Sequence, residues 1–347
     1  AATWTPLVGA AIDRSTEKHS LRKWVIIICS LIASTAISLM AFASTLLLLL
    51  FLFIAMSVSI QTGWTTVNAY LAAESKERNL GSTSGFGILM GYIGGGIGAL
   101  IALTLDNWHG RAVAFGAIGA FLLCFTTIPA LLLKIDSPVE RSEATILDST
   151  VEGAKEVMRN RSVKAYLIGS VLWGDAISTI MTFASLIAIE VLSVTPENAP
   201  YFLGLALPAA AAGAIVQGKL GDVFGLKLMQ GLNLLLWAAG FAAIIILADA
   251  LPIILISSIA GFALGGNLTL SRALYANVIP AGLEGRLFGF AAVFTFFGGA
   301  MGPLLTGIVA DIPGFTLRAA LVIPLGFVLA SLPTLAFIQE NGAPFEG

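Results

Sequence analysis

Residues Gly87 to Leu105 read GILMGYIGGGIGALIALTL, with Gly94, Gly96 and Ala99 in the spacing of a G-x-G-x-x-A phosphate loop. A dinucleotide loop needs a short strand before the glycines, a solvent-reachable helix N-terminus after them, and an acidic residue about 20 positions on. None of these is present, and no charged residue occurs between Gly81 and Asp106. Gly87, Gly91, Gly94, Gly95 and Gly98 instead recur every three or four residues, which places them along one face of a continuous helix. Small residues at that spacing let membrane helices approach closely. The stretch therefore reads as a helix-packing seam, with no cofactor.

Composition points the same way. With 57% hydrophobic residues, 11% charged and a mean hydropathy of +0.94, the chain has more apolar surface than a soluble domain can bury. Its apolar runs reach the roughly 20 residues that a helix needs to cross about 30 Å of hydrocarbon, and the ~10-residue alternating segments of a β-barrel are absent. The breaks give ten spans: 24–42, 45–71, 82–105, 111–133, 163–191, 201–220, 228–247, 252–278, 287–310 and 317–338. The opening AATWTPLVGAAI is apolar but only twelve residues long, and reads as the tail of a truncated helix. The net charge of −2 gives no reason to expect nucleic acid, and Cys29 and Cys124 lie inside apolar runs.

Lys and Arg set the orientation. Of the 18, all but Arg111 and Arg318 fall at alternate breaks on one side, which makes that side cytoplasmic.

Two breaks on that side are alike: GAAIDRSTEKHSLRKW from Gly9 and GKLGDVFGLKLMQ from Gly218. Asp13 precedes Arg78 by 65 positions and Asp222 precedes Arg286 by 64, and each Arg is followed at +13 and +16 by glycine, Gly91 and Gly94 or Gly299 and Gly302. The chain is thus two similar halves in parallel, an arrangement of secondary transporters whose site lies near mid-membrane at the repeat interface.

With these motifs the sequence resembles the major facilitator superfamily. Its loop between the second and third helices carries a G-x-x-x-D-R/K-x-G-R/K-like motif, with a weaker copy in the second half. The stretches NAYLAAESKERNLGSTSGFGILMGYIGGG, WGDAISTI and GFALGGNLTLSRALYANVIP resemble its vacuolar amino-acid effluxer-like branch, which has many bacterial relatives. The resemblance implies an all-α two-bundle fold lacking helix 1 and most of helix 2. It divides the chain into an N-terminal bundle (1–134), a cytoplasmic linker (135–162), a C-terminal bundle (163–338) and a tail (339–347). It also implies a latch, with Gly9, Asp13, Arg14, Gly218 and Asp222 holding neighbouring helix ends; a solvated loop is the plainer reading. Thr16 and Glu17 depart from the motif, and Asp175-Ala176 and Leu268 depart from the branch. In the linker, Leu147, Val151, Ala154 and Met158 recur at helical spacing opposite Glu152, Lys155, Glu156 and Arg159, which predicts an amphipathic helix at the cytoplasmic interface. It is a spacer or a partner-binding segment.

An enzyme is not indicated. There is no H-E-x-x-H, His19 and His109 are far apart, and Gly218-Lys219-Leu220 lacks the rest of a P-loop. Polar groups inside spans are costly and face a cavity or a partner. Asp175 is the clearest, about 18 Å deep at 1.5 Å per residue from Val163, with Ser178, Thr179 and Thr182 continuing its stripe. It is a coupling group or half of a structural ion pair. Gln61, Trp64, Thr65 and Asn68 form a second stripe, and Asn267, Ser271 and Arg272 a third. These line the family's cavity or bond helix to helix; Arg272 grips a substrate carboxylate or snorkels to the interface. The expectation is a monomeric secondary transporter in a lipid bilayer, more a bacterial cell membrane than a vacuole. Its substrate is a small polar molecule, an amino acid first, with protons as the coupling ion and no metal. A permease for another metabolite or drug, and a non-transporting receptor or scaffold, are the rivals.

Overall fold

The computed structural model describes residues 4–14, 18–74, 79–132, 146–248 and 252–340. The described residues form helices and no strand. In chain order these are α1 (Thr5–Arg14), α2 (Lys18–Met40), α3 (Leu46–Glu74), α4 (Leu80–His109), α5 (Arg111–Leu132), α6 (Ile146–Arg159) and α7 (Arg161–Leu186), which continues as a π-helical turn (Ile187–Val191). Then follow α8 (Ala199–Phe224), α9 (Leu226–Leu247), α10 (Ile253–Val278), α11 (Glu284–Ala310), α12 (Leu317–Ala320) and α13 (Val322–Leu335). Nine stretches among the described residues are long and apolar enough to cross a membrane, each within a few residues of an expected span. The tenth expected span, 201–220, lies in α8, which is not one of the nine.

Two compact units are present. The first comprises Ala1–Glu74, Ile93–Glu156 and Pro280–Val293; the second comprises Ser75–Tyr92, Val157–Ile279 and Phe294–Gly347. The first turns of α4 pack within the second unit and those of α11 within the first.

In the first unit α2 packs on α3 and α5, and Lys23 Nζ closes the end of α5 by donating to the Leu131 carbonyl at 3.0 Å. The second unit repeats that joint, with Lys227 Nζ donating to the Ile338 carbonyl at 2.9 Å. There α8 crosses α10 most intimately, because a Cβ at Gly213, Gly261 or Gly265 would run into the backbone of the facing helix. Arg318, off the cytoplasmic side by sequence, has a local reason to be where it is. Its Nε and Nη2 donate to the Ile245 and Ile246 carbonyls at 2.8 and 3.1 Å, and a cation at a helix C-terminus satisfies the open carbonyls and the dipole together.

The amphipathic helix expected in the linker is α6. Its Val157 is buried, and a Cβ at Gly153 would lie 2.9 Å from Phe290 Cε2, while Val151 and Met158 are exposed. Lys76, Arg78, the linker before Ile146 and the tail after Glu340 lie outside the described residues, as do Thr16 and Glu17.

Candidate functional site

In the first unit, Asp13 ends the short helix α1 and points both carboxylate oxygens at the start of α11. Gly285 N–H donates to Oδ1 at 2.9 Å and Arg286 N–H to Oδ2 at 2.8 Å. Those amides have no partner within their own helix, and an anion there also meets the positive end of the dipole. The approach depends on glycine: a Cβ on Gly9 would collide with the Gly285 carbonyl, and one on Gly285 would lie 2.7 Å from Asp13 Oδ1. Around the cap sit buried charges, with Arg22 Nη2 3.7 Å from Asp13 Oδ1 and 3.5 Å from Glu284 Oε2, and Arg286 Nε 3.7 Å from Asp13 Oδ2. Burial pushes the Asp13 carboxyl up to about 6; the two backbone N–H groups and Arg22 oppose the rise, and Glu284 adds to it. The side chain of Arg14 lies outside the described residues.

The second unit repeats the device. Asp222, near the end of α8, accepts from Gly81 N–H at 2.7 Å and Ser82 N–H at 2.8 Å at the start of α4. A Cβ on Gly81 or Gly218 would strike the other's carbonyl. The capped glycines Gly81 and Gly285 are 204 positions apart, so the contacts run about one helical turn out of step with Arg78 and Arg286, which are 208 apart.

One turn further along α4, Ser84 Oγ donates to the Thr269 carbonyl at 2.8 Å and accepts from Arg272 Nε at 3.0 Å, while Arg272 Nη2 donates to the Ser84 carbonyl at 2.8 Å. Arg272, expected to snorkel or to grip a substrate carboxylate, is thus engaged on α4.

The glycines of α4 differ in what lies beside them. Among the described residues a Cβ at Gly91, Gly94 or Gly98 would meet nothing within 4 Å. Close approach lies nearer the start of the helix, at Gly81, at Gly85, where a Cβ would strike the Ala214 carbonyl, and at Gly87, where it would lie 2.8 Å from Arg272 Nη2. Periodic glycine marks a helix face, and only a neighbour makes that face a seam. On α11 the contacts are real but graded: 3.5 Å from a Gly299 Cβ to Ser178 Oγ, and a collision with Thr179 Oγ1 at Gly302.

Asp175 is buried in α7, and Gly302 N–H of α11 donates to its Oδ1 at 2.8 Å. The neighbouring hydroxyls are occupied elsewhere. Ser178 Oγ donates to the Gly299 carbonyl and Thr179 Oγ1 to the Asp175 backbone carbonyl, both at 2.8 Å.

The remaining stripes split between the units. In α3, Thr65 and Asn68 are buried, Gln61 is half-buried and Trp64 is exposed; Thr65 Oγ1 donates to the Gln61 carbonyl at 2.9 Å. In α10, Asn267 is buried with its Nδ2 unpartnered among the described residues, and the Ser271 carbonyl accepts from Tyr166 Oη at 2.9 Å. Tyr166 stacks on Tyr275 at 4.4 Å. Sequence reasoning missed Ser84 and the charge pair of Arg22 with Glu284; Arg22 was legible only as one more cytoplasmic cation. No group of His, Cys, Asp and Glu among the described residues is arranged to hold a metal.

A family model described as "Vacuole effluxer Atg22 like" matches residues 72–344. The chain is 24% identical over 280 residues to YxiO of Bacillus subtilis, described as an uncharacterized MFS-type transporter, covering 77% of this chain and 64% of that one. It is 25% identical over 299 residues to autophagy-related protein 22 of Yarrowia lipolytica, covering 74% and 50%. The chain therefore spans between half and two thirds of these relatives' length. Among solved structures, the major facilitator transporter FucP in its outward conformation superposes with a TM-score of 0.79 at 14% identity, covering 97% of this chain and 87% of that one. At that identity the likeness is one of fold: a multi-pass, all-helical membrane protein with the major facilitator architecture.

Proposed function

Since the chain belongs to the Atg22-like vacuole effluxer family of the major facilitator superfamily, we propose that it is a secondary active transporter working by alternating access. Its proposed substrate is a small polar organic solute, an amino acid in the first instance, with protons as the coupling ion. The observation that carries this reading is the pair of carboxylate caps, Asp13 on α11 and Asp222 on α4, each taking two helix-start amides at 2.7 to 2.9 Å.

A cap of this kind is worth about 1 kcal/mol, up to about 2. Two of them bias a two-state equilibrium by roughly 30- to 700-fold, at about 1.4 kcal/mol per tenfold. That holds one state without locking it, which suits a latch that each transport cycle must release. Asp175 is the proposed coupling group, a buried carboxylate within the span Arg161–Val191.

The test is uptake of labelled amino acids into proteoliposomes of the full-length protein, with and without a pH gradient. The reading requires gradient-driven accumulation, lost in Asp175→Asn while downhill exchange persists. Flux of a drug or another metabolite instead would reassign the substrate. The absence of any solute flux would leave a receptor or scaffold.

A further inference from the structure

Pro303 lies inside α11. A proline has no N–H to donate and its ring displaces the carbonyl four residues back, which here belongs to Gly299. In a membrane an open carbonyl must find another donor. Ser178 supplies it from α7, donating to the Gly299 carbonyl at 2.8 Å. Just ahead of the proline, Gly302 N–H donates to Asp175 Oδ1 at 2.8 Å. α7 thus supplies a donor to the carbonyl that the break opens and an acceptor for an N–H beside it.

The fit between the helices is close. A Cβ at Gly298 would lie 2.9 Å from Val171 Cα, and one at Gly302 would lie 2.8 Å from the Asp175 carbonyl oxygen. Val171, Asp175 and Thr179 follow at every fourth residue, so one ridge of α7 meets the Gly298 and Gly302 notch of α11. Thr179 does not compete for the carboxylate, because its hydroxyl is turned back to the Asp175 carbonyl.

We propose that Asp175 and Ser178 are positioning residues for transport: together they splint α11 at its Pro303 break and dock the turn before that break on α7. This rests on the transporter reading for its consequence, but the splint has its own signature. The dock needs an acceptor at position 175, whereas proton coupling needs a titrating one. Asparagine keeps the first and removes the second.

The test is hydrogen exchange, by mass spectrometry, of α11 peptides covering residues 299–303 in the full-length protein. Asp175→Ala and Ser178→Ala should each speed exchange there by about tenfold, as loss of one hydrogen bond implies; Asp175→Asn should stay near wild type. Pro303→Ala restores an N–H that can reach the Gly299 carbonyl, so adding Ser178→Ala to that background should change nothing. That cycle leaves the carboxylate intact and serves if Asp175→Ala fails to fold. In proteoliposomes, Ser178→Ala should lower the maximal rate while leaving KM unchanged, and Pro303→Ala should remove that dependence on Ser178. Unchanged exchange in Ser178→Ala, or an undiminished Ser178→Ala effect beside Pro303→Ala, overturns the splint. If the exchange pattern holds while wild type moves no solute, the transporter reading falls and the splint stands.

Discussion

Gly265→Ala and Gly94→Ala add the same methyl group to a membrane helix and should act in opposite directions. At Gly265 the new Cβ would fall closer to the Ala210 carbonyl than the 3.0 Å that real Cβ atoms keep, with Ala210 C and Cα also inside that limit. The obstacle is backbone, so no side-chain rotation relieves it, and α10 must move away from α8. Overpacking of this kind costs about 1–3 kcal/mol, with a rigid obstacle at the upper end. The gain in helix propensity over glycine returns up to about 1 kcal/mol, leaving a net loss of about 2 kcal/mol. At Gly94 nothing among the described residues lies within 4 Å of the added atom, so only the propensity gain of up to about 1 kcal/mol remains. The two variants should therefore differ by about 3 kcal/mol in reversible SDS unfolding in mixed micelles, followed by circular dichroism. Glycine periodicity alone predicts a wedge at Gly94. Equal destabilisation of both variants would refute the reasoning, and so would a loss confined to Gly94→Ala.

Asp222→Ala should cost about 1 kcal/mol, up to about 2, by opening the Gly81 and Ser82 amides, and the same unfolding assay should find Asp222→Asn intermediate. Asp13, at about 6 in the folded chain against an ordinary 3.8, gives a pH dependence whose sign is set by its raised value. The folded state holds the proton more tightly, so the penalty is absent below about pH 4, grows toward pH 6 and is complete above it, reaching about 3 kcal/mol. Melting from pH 4 to 7 should show stability falling with pH, with a shallower slope in Asp13→Asn; parallel curves would remove Asp13 as the cause. Arg318→Gln should destabilise the end of α9 by about 0.5–1 kcal/mol, and hydrogen exchange at Ile245 and Ile246 that matches wild type would count against the cap.

Much of the candidate site was legible as residue types and little of it as partners. Asp13 and Asp222 stood out because the same short pattern occurs twice. Their amides could not be named, because Gly285 is 272 positions from Asp13 and Gly81 is 141 from Asp222. The stripe of Asp175, Ser178 and Thr179 follows from helical spacing, yet the three groups have three different destinations. Pro303 was visible in the sequence throughout. That its freed carbonyl meets Ser178 depends on how α11 lies on α7.

Spans, helical class and the twofold pattern follow from local chemistry. About 20 apolar residues in a row can satisfy their backbone in hydrocarbon only as a helix, and this holds whatever packs beside them. Hydrogen-bond partners and close approaches are relations between helices. The α4 glycines at 81, 85 and 87 meet Gly218, Ala214 and Arg272, whereas those at 91, 94 and 98 meet nothing within 4 Å among the described residues. Periodicity fixes which face a residue occupies, and only the crossing of one helix over another decides whether that face is touched. The same crossing made Arg272, legible in the sequence only as a cation near the end of a span, a donor to Ser84.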